Sequence, residues 1–147
     1  MSEKNQYNHL KKIYFWEFVV YLAAVLYITV FSREPGEKRF DMEPFRSYIL
    51  LIRDKNYFYA SQIFLNILMT VPYGFLLPGL NVKYRSLRKV TFMGLGFSAA
   101  IETIQYITCR GLFEFDDLFN NTLGASVGYI IFVILHRKII KMIDMEK

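Results

Sequence analysis

The stretch Ile101–Tyr129, IETIQYITCRGLFEFDDLFNNTLGASVGY, sets Glu102, Gln105, Arg110, Glu114, Asp116, Asp117 and two asparagines between two blocks of apolar residues. In water these would be surface residues of a helix. In lipid each is costly and needs a partner or a purpose. The solvent around this stretch therefore decides the fold.

Working outward, apolar residues make up 54% and aromatic residues 18% of the 147-residue chain. They are blocked into long runs rather than spread as amphipathic stripes. A membrane-crossing helix needs about 20 mostly apolar residues. Ile13–Phe31, Gln62–Leu80, Val90–Cys109 and Leu118–Leu135 meet or approach that length. Four buried helices of a soluble domain would leave almost no amphipathic shell to cover them. The expectation is an all-α, polytopic membrane protein: one domain over 1–147 with four transmembrane helices. The first run follows Lys4, Lys11 and Lys12 as a signal peptide would, but it exceeds a signal core in length. YITVFSREP also offers no small-x-small cleavage site, so the run reads as a retained span.

Basic residues orient the bundle. With the N-terminus in the cytoplasm, the inner segments carry eleven Lys and Arg and the outer segments seven. The tight loop NVKYRSLRK, Asn81–Lys89, contributes most clearly. Both termini are expected in the cytoplasm. Tyr14, Phe15 and Trp16 read as an interfacial belt. In the first outer loop, Phe45–Asp54 (FRSYILLIRD) places Phe45, Tyr48, Ile49 and Ile52 on one helical face. It is too short to span, so an interfacial or re-entrant helix is expected there.

Several functions are disfavoured. Cys109 is the one cysteine, and His9 and His136 lie at opposite ends, so no metal and no cofactor is expected. The net charge of +5 is distributed as lipid headgroups require, not as a nucleic-acid surface. Pro72 and Gly74 in the second span, and the Gly124/Gly128 pair in the fourth, read as helix-packing residues. Such small-residue faces also permit a homo-oligomer.

At a rise of about 1.5 Å per residue, Arg33, Asn66, Glu102, Gln105, Arg110, Asp117 and Asn121 all fall at the outer side. Glu102 and Gln105 share a helical face, as do Asp117 and Asn121. Arg110, with five donors, is the expected bridge between the carboxylates of the third and fourth helices. Glu114 and Asp116 read equally well as solvated loop charges. Together these seven residues form the expected ligand site.

Here the chain resembles the VanZ-like family of small bacterial membrane proteins. The shared pattern is an E-x-x-Q pair (Glu102, Gln105), an arginine (Arg110), acidic residues ending in Asp117, then N-x-x-G-x-x-x-G-Y from Asn121 to Tyr129. A second block, Asn66, Pro72 and Gly74, matches the family's N-x(5)-P-x-G. In the first outer loop Asp41-Met42 departs from the usual Asn-Leu. The resemblance implies a multi-pass protein of the bacterial cell membrane, linked to resistance against glycopeptide antibiotics such as teicoplanin. The expected partners are membrane lipids, a lipid-linked cell-wall precursor or the glycopeptide itself, and no nucleic acid. A non-enzymatic role leads, since no Ser/His or Cys/His pair accompanies the carboxylates. The alternatives are an intramembrane enzyme on a lipid-linked precursor, with Glu102 as base and Asp117 as second acid, and a small transporter or flippase.

Overall fold

Five helices dominate the computed structural model, which describes the backbone of residues 3–37 and 39–145. Helix α1 (Glu3–Leu26) widens into a π-helical turn over Tyr27–Phe31. There the hydroxyl of Thr29 donates back to the Val25 carbonyl at 2.7 Å. The connection to the next long helix then forms β1 (Arg39–Asp41) and α2 (Arg46–Asp54). Helix α3 (Tyr57–Leu80) begins where the Asn56 side chain accepts from the Phe58 N–H at 3.0 Å, satisfying an otherwise unpaired helix donor. A single 3-10 turn (Val82–Tyr84) leads to α4 (Leu87–Ile107), then β2 (Leu112–Glu114) and α5 (Phe115–Met145).

The surface is inverted relative to a soluble protein. Val20, Ile28, Phe31, Phe64, Phe92 and Ile107 are exposed, while Thr29, Thr70, Ser98, Glu102, Gln105 and Asn121 are buried. Lipid tails satisfy such an exterior, and polar contacts hold such an interior together. Three helical stretches among the described residues are long and apolar enough to cross a membrane: His9–Phe31, Tyr57–Leu80 and Phe115–His136. Helix α4 has a comparable 21 residues, but Glu102 and Gln105 interrupt its apolar run.

Helices α3 and α5 form the tightest contact. A Cβ at Gly124 would fall on the Ile67 carbonyl and the Thr70 hydroxyl, and one at Gly128 on the Val71 carbonyl. From the other side, a Cβ at Gly74 would strike the backbone of Ala125. The missing side chains allow the two backbones to touch. Pro72 does not join this contact: it lies on the exposed side of α3, while Pro78 is buried. Below the glycines, Tyr73, Leu77, Val90 and Ala125 form the apolar core, with Tyr73 and Phe97 stacked at 4.5 Å between ring centres.

One feature lies outside the all-α expectation. Strands β1 and β2 pair in parallel, Phe40 opposite Phe113 and Asp41 opposite Glu114. The Phe40 and Phe113 rings stack at 5.1 Å. This short ribbon lays the connection between α1 and α3 across the α4–α5 connection, at the polar end of the bundle.

Candidate functional site

Two adjacent pairs on α5 organise this end of the molecule. Asp116 and Asn120 are one turn apart, as are Asp117 and Asn121, and neighbouring positions differ by about 100° around a helix. The pairs therefore face different partners. Asp116 and Asn120 hold α2. The two carboxylate oxygens of Asp116 accept from the N–H groups of Phe45 and Ser47, each at 2.7 Å. Asn120 accepts from the Tyr48 hydroxyl. Asp117 and Asn121 face inward. Asn66 of α3 donates to Asp117 at 2.5 Å, and Asn121 donates to the Ser98 hydroxyl of α4 at 2.9 Å. The backbone carbonyl of Asn121 accepts from Thr70 at 2.7 Å.

Helix α4 contributes the deepest carboxyl group. Glu102 is only 2% exposed and accepts from the Glu114 N–H at 3.2 Å. One turn on, Gln105 donates to the Thr29 carbonyl at 2.9 Å, a group within the π-helical turn of the first helix. Neither Glu102 nor Asp117 forms a salt bridge among the described residues. Arg33, exposed at the rim, is a cation whose charge acts on Glu102, Glu114 and Asp117, and Arg46 acts on Glu114 as well. Its guanidinium sits over Gly111, where a Cβ would come within 3.1 Å of Nη1. The side-chain carbonyl of Asn121, itself 1% exposed, has no hydrogen-bond partner among the described residues. Glu102 and Asp117 thus stand on neighbouring helices, close to an acceptor left unused among the described residues.

The bridging role expected of Arg110 is not found. Its Nη1 donates to the carbonyls of Val30, Phe31 and Arg33 at 3.1, 3.2 and 2.7 Å. The reason is local: a helix end leaves carbonyls without intrahelical donors, and one guanidinium can gather several. Arg110 caps the first helix and leaves the carboxylates to Arg33. Asp116 is likewise no solvated loop charge, being 3% exposed and committed to α2. The DD-x-x-NN spacing carried the signal for its role, because each acidic residue has an amide one turn later.

Outside this network lies a cavity of about 680 Å³ between the ribbon, α2 and the start of α3. Glu114 and Asp116 line it, as does Gln62, one turn before Asn66 on α3. The lining adjoins the buried network at Glu114, whose N–H donates to Glu102.

The chain matches the family model described as VanZ/LLP1 over residues 18–136. No curated protein and no solved structure matches it. The match spans the first helix to the end of the apolar part of α5 and includes every residue of the polar site. With its membrane-capable helices and this gathered set of Glu102, Gln105, Arg110, Asp117 and Asn121, the chain belongs to the VanZ/LLP1 family.

Proposed function

We propose that the protein is a multi-pass component of the bacterial cell membrane that lowers susceptibility to lipophilic glycopeptides of the teicoplanin type. It would do so by holding a lipid-linked headgroup at the outer-leaflet site of Arg33, Asn66, Glu102, Gln105, Arg110, Asp117 and Asn121, masking or relocating what the drug needs. The carrying observation is Glu102, a buried carboxyl group with no ion pair among the described residues, joined through the Glu114 N–H to the lining of a cavity at one end of the bundle. An ionisable group kept at such a depth is by default a candidate for function. The test is drug susceptibility measured beside membrane abundance. Glu102→Gln retains an oxygen to accept from Glu114, so the protein should accumulate normally while protection is lost. Full protection by this variant at normal abundance would return Glu102 to a packing role.

In this reading α4 is the fourth crossing helix, α2 lies in the outer interface and both termini are cytoplasmic. The eleven-to-seven basic distribution supports that orientation. In a Cys109→Ser background, Glu34→Cys should react with an impermeant thiol reagent in intact cells and Lys83→Cys should not. The reverse pattern would place the polar site on the inner face.

A further inference from the structure

The cavity above the buried carboxylates has a surplus of negative charge. Asp41, Glu43, Glu114 and Asp116 line it, against the single guanidinium of Arg46. Arg46 is committed to Asp41 at 2.5 Å and lies 3.8 Å from Glu43. Asp116 is satisfied by two backbone amides. Glu114 is different: half-buried, it has no ion pair among the described residues. Burial, then the charges of Asp41 and Asp116, push its carboxyl above the usual range, with Arg33 and Arg46 only partly opposing. The site is short of a cation.

The geometry points to an ammonium-bearing lipid headgroup as the occupant of this cavity, with Glu114 as its main anion. An ammonium group supplies three donors and a positive charge, and a charge-assisted hydrogen bond to a carboxylate is among the stronger polar contacts. Phe40, Phe58 and Tyr59 stand in the same wall, where ring faces attract a cation. A bare metal ion fits poorly, since no group of three His, Cys, Asp or Glu among the described residues is arranged to hold one. The volume suits a headgroup-sized ligand. The rim favours a lipid over a soluble amine: Phe40, Met42 and Phe58 on the lining are exposed, as are Ile49, Ile52 and Tyr57 beside it. An acyl chain leaving the cavity would meet apolar surface. This inference rests on the reading that this end of the bundle lies at the outer membrane surface.

The experiment uses the full chain in detergent micelles and titration calorimetry with three probes. Dihexanoylphosphatidylethanolamine carries tails and an ammonium, dihexanoylphosphatidylglycerol has the same tails without it, and O-phosphoethanolamine has the ammonium without tails. The first should bind at least about tenfold more tightly than either of the others, and Glu114→Gln should remove about that factor. Glu43→Gln, on the exposed rim, should weaken binding by a smaller factor, and it serves as the variant to read if Glu114→Gln does not fold. Equal affinity for the two lipids would overturn the ammonium assignment. Equal affinity for O-phosphoethanolamine would overturn the lipid source. Unchanged affinity in the folded variants would remove the cavity as the site. No antibiotic enters this measurement, so its failure is distinct from a failure of Glu102→Gln to alter susceptibility.

Discussion

Gly124→Leu should leave less than about a tenth of the normal yield of monodisperse protein after detergent extraction, the loss expected from about 1.4 kcal/mol or more. The first added carbon already collides with the Ile67 carbonyl and the Thr70 hydroxyl. Backbone cannot move aside as a flexible side chain can, so α3 and α5 must separate along their length. Separation also breaks the Thr70 hydrogen bond to the Asn121 carbonyl and withdraws Asn66 from Asp117. Overpacking in a closely fitted interior costs about 1–3 kcal/mol, before those polar losses are added. Gly96→Ala is the matched control, because nothing lies within 4 Å of its added Cβ. It should purify normally. Equal yield and melting temperature for Gly124→Leu would mean that the glycine contact does not hold the bundle.

Asp116→Ala should release α2 while leaving the helical bundle intact. The substitution removes the acceptors of the Phe45 and Ser47 amides at the start of that helix. Hydrogen bonds to a charged group contribute about 1.5–3 kcal/mol each. Phe45 also adopts a left-handed backbone with φ of 59°, which a bulky residue holds only under constraint. Its ring packs edge-on against Phe115 and Phe119, a contact too small to hold the loop alone. Amide hydrogen exchange over Arg46–Asp54 should therefore accelerate by about a hundredfold or more, the factor corresponding to roughly 3 kcal/mol. Exchange in α3 and α5 should change little. Asp116→Asn, which keeps one acceptor, should fall between. If α2 is as protected in Asp116→Ala as in the parent, the carboxylate is not its anchor.

Long apolar runs were legible in the sequence because lipid imposes length and composition on each helix separately. Phe45–Asp54 could be read as a short helix for a similar reason, since Tyr48, Ile49 and Ile52 repeat at helical spacing. The gathering of Glu102, Gln105, Asp117 and Asn121 at one end also followed from depth alone. What depth cannot give is which neighbour each side chain meets. Arg110 satisfies the helix-end carbonyls of residues 30, 31 and 33, a choice that depends on how the first helix ends in a π-helical turn. Asp116 lies one position before Asp117 yet faces another element altogether. The β1–β2 ribbon had no readable signature: three residues on each side are too few for an alternating pattern, and their partners lie far apart in the chain.

The parallel ribbon has a consequence for the order in which the protein is made. Residues 39–41 leave the ribosome long before residues 112–114, their partners. The same delay separates Phe45, Ser47 and Tyr48 from Asp116 and Asn120. These bonds, which anchor the connection between α1 and α3, thus wait for the last part of the chain to be synthesised. The lining of the cavity is complete only once β2 and the start of α5 have been made, so a chain arrested before β2 lacks Glu114 and Asp116 and has no site to occupy.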